Sequence, residues 1–268
     1  MGLEMFDLTG RVAMVSGAAS GMGKAMATAV AEAGADVLLV DFDQEGVEQT
    51  KRELAYLGRK TVTAVCDVSD LTAIDSLWAT LDKDFGRIDF LGNVAGNATL
   101  GKPEEIEMAT IIQVIQNLVI GRFYMCQHAG KRMLKQGKGS IVNIGSLASM
   151  NALGRGHIAY SMSMGAVIQM TRELSTEWSS RGVRVNAILP GQVMNKGMEK
   201  RIAADPAIRD TWLRGLPIGR LGQPEEIKGL SVLLASDASS FITGALIPFD
   251  GGNLAKNAGG THPGMPEN

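Results

Sequence analysis

The chain has 268 residues, which is enough for one large α/β domain with a full core and short for two complete domains with linkers. Hydrophobic residues make up 45% of the chain, and 33 glycines against 8 prolines favour short elements joined by tight turns over disorder. A formal net charge of -2 without a long basic run argues against a nucleic-acid or anionic-membrane partner and favours small-molecule chemistry.

Short apolar runs alternate with helical patterns along the chain. The first strand is predicted at residues 11–16, before a glycine turn and an alanine-rich helix that Gly34 ends. Further strands are predicted at 37–40, 61–65, 88–94, 140–144, 183–189 and 245–249, with helices at 44–57, 71–85, 103–135, 160–181 and 225–235. Strict alternation predicts a parallel sheet covered by helices on both faces, a doubly wound α/β architecture of the Rossmann type.

Residues 1–255 are predicted to form this single domain. Residues 256–268 are rich in Gly, Asn and Pro, so we expect a flexible tail or one that packs on a neighbouring subunit. The two cysteines, Cys66 and Cys126, lack metal-ligand spacing and cannot form a disulfide framework, which favours a reducing cytoplasm. No uninterrupted apolar run approaches the ~20 residues of a membrane helix, so we expect neither export nor membrane insertion.

The glycine turn after the first strand spans residues 17–23, Gly-Ala-Ala-Ser-Gly-Met-Gly. Glycine permits close approach to a pyrophosphate, and the helix that follows supplies free N–H groups and a positive dipole end. The spacing alone also occurs in ordinary strand-to-helix turns. Asp41 ends the second strand, where a dinucleotide fold places a carboxylate against the adenosine ribose. No Lys or Arg lies in the turn or at Phe42 to meet a 2'-phosphate, so charge favours NAD over NADP.

Together with motifs farther along, these features resemble the short-chain dehydrogenase/reductase family over about residues 7–253. The family's TGxxxGxG loop appears as residues 16–23, its Asp-Val pair as Asp67-Val68, its NNAG turn as residues 93–96 and its Pro-Gly segment as Pro190-Gly191. The resemblance implies that these segments surround NAD, with Asn195 standing where a threonine is usual. The expected NAD-contacting residues are Gly17, Ser20, Gly21, Met22, Gly23, Asp41, Phe42, Asp67, Val68, Asn93, Ala95, Gly96, Tyr160, Pro190, Gly191, Val193 and Asn195.

The resemblance also implies a catalytic pair, Ser146 and Tyr160, the second in the family's YxxxK motif. An alcohol that gives a hydride to nicotinamide must lose its hydroxyl proton to a base, and Tyr160 would be that base. A lysine at position 164 would lie on the same helix face and lower the pKa of the phenol, but this chain has Met164. A tyrosine pKa of about 10 instead of about 7 corresponds to about 4 kcal/mol, or roughly a thousandfold in usable base.

Three explanations for Met164 stay open at this point. It could be a deliberate lysine-to-methionine substitution that traps a complex, or the mark of a natural non-catalytic homologue. Alternatively another residue, such as His157 one helical turn before Tyr160, supplies the proton chemistry. In each case the helix should survive, because methionine keeps an unbranched apolar stem.

The family's relay asparagine on the fourth helix is a second departure. Aligning Gly121-Arg122-Phe123 with the family's Gly-x-Phe puts Leu118 in its place, with Asn117 one residue early. A helix irregularity would bring Asn117 back into the site.

Residues 194–216 resemble the family's substrate lid. Their three arginines, Arg201, Arg209 and Arg214, either favour an anionic substrate or form a solvated helix face. His128 and His262 have no partners at ligand spacing and are interpreted as surface residues, so no metal site is expected.

The resemblance further implies a homotetramer, formed in part through residues 113–133, where Ile115, Val119, Phe123 and Met133 are available for packing. The sequence is compatible with two functional classes. One is an NAD-dependent dehydrogenase or ketoreductase that acts on a small alcohol or ketone. The other is an NAD-binding protein without redox turnover that acts as a structural or regulatory partner. An isomerase or epimerase that retains NAD is a weaker third possibility.

Overall fold

The computed structural model describes residues 2–256, and its centre is a sheet of seven parallel strands. The strands are β1 (Val12–Ser16), β2 (Asp36–Asp41), β3 (Thr61–Val65), β4 (Phe90–Asn93), β5 (Gly139–Ile144), β6 (Val183–Pro190) and β7 (Leu246–Phe249). Across the sheet their order is β3-β2-β1-β4-β5-β6-β7. The chain builds outward from β1 on one side and from β4 on the other, and such folds bind ligands beyond the carboxyl ends of the strands at this switch point.

The described residues form nine α-helices, most of which cover the two faces of the sheet. They are α1 (Gly21–Glu32), α2 (Gln44–Leu54), α3 (Leu71–Asp84), α4 (Met108–Ile115), α5 (Arg122–Gln136), α6 (Ile158–Trp178), α7 (Lys196–Ala204), α8 (Ala207–Leu213) and α9 (Lys228–Ala235). One core joins the sheet to α1, α2 and α9, and the other joins it to α3, α5 and α6.

Strand β1 shows why the apolar runs are continuous. Ala13 and Val15 pack into the core beneath α1, whereas Val12 and Met14 pack into the opposite core beneath α3 and α5. Successive side chains of a strand point to opposite faces, and here none of the four is more than 5% exposed. A strand buried on both faces therefore has no polar alternation, as in other parallel sheets.

The predicted doubly wound parallel sheet is confirmed, and β3 has the bounds predicted for it. The fourth helical region begins at Met108, not at residue 103, because Lys102 accepts backbone hydrogen bonds from Glu105 and Ile106 in a turn. The crossover at 194–216 forms two short helices, α7 and α8, whose bounds the sequence did not predict. Residues 257–268, nearly all of the predicted tail, lie outside the described residues.

Residues 108–136 form a single helical run of 29 residues whose length and apolar composition would allow it to cross a bilayer. Polar and charged side chains such as Gln116, Arg122 and Arg132 interrupt this helix, so it is not the uninterrupted apolar run whose absence was expected. The core helix of a soluble protein passes the same test, and Met125 and Ala129 here pack into the core against the sheet. Met133 is also fully buried, in contact with Gly139, so it is not available for subunit packing as expected.

Candidate active site

The turn between β1 and α1 has the geometry of an anion cradle. Gly17 has a φ of 74°, and a Cβ on Gly23 would lie 2.1 Å from the Gly17 carbonyl oxygen. Any larger side chain at position 23 would force this turn open. The Ser20 hydroxyl makes no capping hydrogen bond to α1, which leaves the first N–H groups of the helix, from Gly21 and Met22 onward, for a ligand. These features fit the pyrophosphate of a dinucleotide.

Asp41 lies at the end of β2 with its carboxylate fixed by the backbone. The Ala19 N–H donates to Oδ2 and the Asp43 N–H donates to Oδ1, each at 3.1 Å. The residue is buried, whereas its neighbour Phe42 is exposed. A carboxylate oxygen can accept more than one hydrogen bond, so Asp41 retains lone pairs for the ribose hydroxyls of a dinucleotide.

The loop after β3 presses against the helical run at Gly121. Val68 is buried, and a Cβ on Gly121 would lie 1.7 Å from the Val68 carbonyl oxygen. The preceding residue, Asp67, is exposed, and its carboxylate accepts hydrogen bonds from the backbone N–H and hydroxyl of Ser69 at 2.8 and 2.7 Å. The position of this loop therefore depends on a glycine in the neighbouring helix.

The segment after β4 is held by buried polar groups. The Ser16 hydroxyl accepts hydrogen bonds from the Val94 and Ala95 N–H groups at 3.0 and 3.1 Å. The buried Asn93 amide donates to the Asn143 side chain on β5 at 3.1 Å. These bonds tie the ends of β1, β4 and β5 together around the switch point.

The segment after β6 forms another wall of the site. Pro190 ends the strand, and the Gly191 N–H bonds back to β7 at 2.9 Å. Asn195 caps α7, accepting from the Met198 N–H at 3.0 Å and donating to the Val193 carbonyl at 3.2 Å. The amide in the usual threonine position is therefore accommodated as a helix cap.

Ser146 and Tyr160 come together above the end of β5. Ser146 is buried, and its hydroxyl accepts a hydrogen bond from the Ala148 N–H at 3.1 Å. The Ser146 hydroxyl and the Tyr160 phenol line the same cavity. Burial raises the pKa of Tyr160, while the nearby Ser146 hydroxyl and the charge of Arg122 act against that rise. In the protein without a cofactor, Tyr160 is therefore protonated at neutral pH.

Met164 lies in an apolar cluster between α4 and α6. It is 2% exposed and shares this cluster with Val114, Leu118 and Val167. The methionine packs as a core residue and brings no charge to the adjacent Tyr160.

The helix irregularity that the family alignment required is present. Residues Gln116–Gly121 form a π-helical turn between α4 and α5. The extra residue of such a turn shifts the register of the helix. Asn117 there accepts a hydrogen bond from the Asn97 N–H at 2.8 Å, and Asn97 lines the cavity beside Tyr160. The structure thus brings Asn117 to the edge of the site and buries Leu118.

Arg122, one residue past the π turn, is a charged neighbour of the site that the sequence analysis missed. It is 4% exposed, and its guanidinium donates to the Ala95 carbonyl at 3.0 Å and to the Ile144 carbonyl. Nothing in the sequence assigned Arg122 a role beyond its place in the Gly-x-Phe segment, because arginine on a helix is usually solvent-exposed.

A cavity of about 460 Å³ opens over the pair and has two arginines in its wall. Of the three lid arginines only Arg201 lines it, and the second is Arg155, which the sequence analysis did not consider. No Asp or Glu of the described residues lines the cavity. Its other walls include Gly96, Leu153, His157, Pro190, Gln192, Met198 and Trp212.

The two described histidines differ in environment. His157 lies at the start of α6 with Nδ1 2.6 Å from the Gly154 carbonyl and its ring 6.2 Å from that of Tyr160. Because a carbonyl only accepts, Nδ1 carries a proton there and Nε2 is the acceptor. His128 is not the surface residue expected, since its side chain is 14% exposed, is stacked on Trp78 and lies 3.1 Å from Asp75.

Comparison with known proteins agrees with this geometry. A profile of short-chain dehydrogenases described as enoyl-(acyl carrier protein) reductase matches residues 17–253. D-threitol dehydrogenase of Mycolicibacterium smegmatis is 40% identical over 251 residues, which cover 94% of this chain and 95% of the relative.

Two solved structures have the same fold. A structure assigned as an NAD(P)-dependent gluconate 5-dehydrogenase from Beutenbergia cavernae, with bound NADP at low occupancy, superposes with a TM-score of 0.89 at 36% identity, covering 94% of this chain and 100% of that one. NAD+-bound xylitol dehydrogenase superposes with a TM-score of 0.86 at 30% identity, covering 91% and 99%. The sequence match over nearly the full length, the sheet order and the placement of Ser146 and Tyr160 lead to one conclusion: this chain belongs to the short-chain dehydrogenase/reductase family.

Proposed function

We propose that the protein is an NAD-dependent oxidoreductase that interconverts a secondary alcohol and a ketone. The observation that carries this proposal is the Ser146–Tyr160 pair at the base of a cavity. Cavity and pair adjoin the ends of β4, β5 and β6, beside the glycine turn that fits a pyrophosphate. Bound NAD+ would supply the hydride acceptor.

In this proposal the chain's own residues handle the proton and the substrate oxygen. Ser146 polarises that oxygen through its hydroxyl, and Tyr160 takes the hydroxyl proton during oxidation and returns it during reduction. Asn117, at the edge of the cavity, is proposed to link the site to solvent through the Asn97 segment.

The preference for NAD rests on Asp41. Its buried carboxylate is fixed by two N–H groups, and a 2'-phosphate placed against it would be repelled. Lys24, the cation of α1 nearest in sequence to the turn, is already paired with Glu53 at 2.6 Å. A similar structure contains NADP, so titration of this protein with both cofactors is the direct test of the preference.

We infer a polyhydroxylated substrate from the cavity and the relatives. Threitol, xylitol and gluconate, which the similar proteins are named for, are all small polyhydroxylated chains. Asn97 and Gln192 offer polar side chains along the cavity, and Arg155 and Arg201 add positive charge without an opposing carboxylate. Those charges favour a substrate that ends in a carboxylate over a neutral polyol.

Met164 supports a second candidate function, an NAD-binding homologue without redox turnover. Loss of a cation from position 164 would by itself lower the usable tyrosinate by roughly a thousandfold. The apolar packing of Met164 shows that the fold does not depend on a charge at this position. Such a protein would act as a structural or regulatory partner in an assembly.

We further propose a homotetramer in the cytoplasm. Exposed apolar side chains along the π turn and its flanking helices, Met108, Ile112, Ile120 and Phe123, support a subunit contact there. The free, buried thiols Cys66 and Cys126 are compatible with a reducing compartment.

The deciding experiment compares the native chain with Met164→Lys, using Tyr160→Phe as the control. NADH absorbance is followed with threitol, xylitol and gluconate, and NAD+ binding is measured by calorimetry. We expect NADH formation that Tyr160→Phe abolishes without loss of NAD+ binding. A thousandfold gain in Met164→Lys at equal NAD+ affinity would identify Met164 as an inactivating change. NAD+ binding without turnover in either protein would favour the non-catalytic candidate.

A further inference from the structure

Arg122 is a buried cation whose hydrogen bonds go only to uncharged groups. Its guanidinium donates to the Ala95 and Ile144 carbonyls, and its Nε has no hydrogen-bond partner. Among the described residues it forms no ion pair with a carboxylate, although nine ion pairs occur elsewhere. Burying an uncompensated charge is destabilising, so a guanidinium in this position needs a reason.

The ionisable groups that act on Arg122 point to that reason. Burial lowers the pKa of Arg122 to about 10, which leaves it protonated at neutral pH. The groups whose negative charge would favour the guanidinium are the Tyr160 phenol and the Cys126 thiol. Burial raises the pKa of Cys126 to about 12, so that thiol stays neutral, and Tyr160 is the remaining candidate for a counter-charge.

The backbone contacts of Arg122 place it against the two segments, after β4 and at the end of β5, that border the reacting pair. Ile144, which accepts one of its hydrogen bonds, is two residues before Ser146 on the same strand end. A Cβ on Gly96 would lie 3.3 Å from Nη2 of Arg122, and Gly96 lines the cavity together with Ser146 and Tyr160. One residue of backbone thus separates the guanidinium from the cavity.

We propose that Arg122 places beside Tyr160 the positive charge that a lysine at position 164 would otherwise provide. The inference rests on the proposed oxidoreductase function, because the charge matters only if Tyr160 acts as a base. In this arrangement the positive charge comes from the start of α5, and Met164 on α6 fills an apolar space.

A purely structural role makes a different prediction. If Arg122 only braces two carbonyls, a neutral hydrogen-bond donor would replace it and the titration of Tyr160 would not change. Arg122→Gln is such a variant, because its amide donates to carbonyls but carries no charge, and Arg122→Lys is the matched control that keeps the charge.

The first test measures ionisation of Tyr160 without relying on turnover. The chain has only three tyrosines, so ζ-13C-tyrosine NMR of the NAD+-saturated protein resolves each one, with Tyr160→Phe identifying the signal. We expect the Tyr160 midpoint to rise by about one pH unit or more in Arg122→Gln and to stay within about 0.3 unit in Arg122→Lys. A midpoint in Arg122→Gln within about 0.3 unit of the native one would overturn the proposal.

The second test combines Arg122→Gln with Met164→Lys. If Arg122 already supplies the charge, Met164→Lys raises kcat less than about tenfold in the native chain but about a hundredfold or more in the Arg122→Gln chain. A roughly thousandfold gain in kcat from Met164→Lys in the native chain overturns the proposal. This comparison tests the proposal even if Arg122→Gln does not fold. If no variant turns over, the proposed function fails while the tyrosine titration still judges Arg122.

Discussion

Neutralising Asp41 is expected to reverse the cofactor preference. In Asp41→Asn the side chain keeps its shape and one acceptor oxygen but loses its charge and one of the two acceptors for the Ala19 and Asp43 N–H groups. The loss of charge-assisted bonds to ribose hydroxyls should weaken NAD+ binding by about 1–2 kcal/mol, or about 5–30-fold.

The same change should strengthen NADP+ binding. At a separation of about 5 Å and an effective dielectric constant of about 20–80, Asp41 repels each unit of phosphate charge by about 1–3 kcal/mol. Removing that repulsion tightens NADP+ by about fivefold or more. Together the two effects change the ratio of dissociation constants by at least about 25-fold toward NADP+.

Calorimetric titration of both cofactors into native protein and variant measures this ratio directly. The matched control is Asp43→Asn, which removes the same charge two residues along the chain, where the carboxylate instead caps α2 through the Gly46 N–H at 3.0 Å. Thermal unfolding of both variants checks that the fold is kept. A ratio that moves less than about threefold in Asp41→Asn, or equally far in Asp43→Asn, would refute the reasoning.

Three further predictions test the rest of the site. Gly121→Ala should lower the free energy of unfolding by about 2–3 kcal/mol in urea titrations, because the added Cβ would lie 1.7 Å from the Val68 carbonyl oxygen. The control is Gly229→Ala, which has open space around the added Cβ and should be neutral or stabilise the protein by up to about 1 kcal/mol. Ser146→Ala should lower kcat by about 10²–10⁴ and shift the pH profile to higher pH, because the Ser146 hydroxyl opposes the rise in the pKa of Tyr160. An unchanged steady-state pH profile would contradict this role. Because burial raises the pKa of Tyr160, kcat/KM for alcohol oxidation should increase with pH through the alkaline range as tyrosinate forms. The kcat/KM for ketone reduction should decrease over the same range, because that direction needs the protonated phenol. Parallel pH profiles for the two directions would exclude Tyr160 as the shared acid and base.

The sheet could be predicted because its causes are local. Continuous apolar runs mark strands buried on both faces, and glycines at 17 and 23 mark a turn whose backbone contact excludes a side chain. The lid helices α7 and α8 could not be delimited in the same way, because they are short and rest on only a small apolar cluster around Trp212.

The charged part of the site could not be predicted from sequence, because burial of a charge depends on the tertiary fold. The sequence does not distinguish Arg201, Arg209 and Arg214 from one another, but of these three only Arg201 lines the cavity. Arg122 is on a helix, where arginine normally faces water, and the π turn before it sets which way the following residues face. The only sequence feature that indicated the π turn was the position of Asn117, one residue early relative to Gly121.

The π turn and Arg122 also bear on the origin of Met164. A single engineered substitution would leave every other part of the site in the family pattern. This chain departs from that pattern at a second place, since Asn117 lies one residue early and a π turn takes up the difference. The residue just past that turn is Arg122, the buried cation that we propose to act on Tyr160. A natural rearrangement that moved the positive charge from α6 to the start of α5 accounts for Met164, the π turn and the burial of Arg122 together, whereas an isolated change at position 164 accounts only for the first.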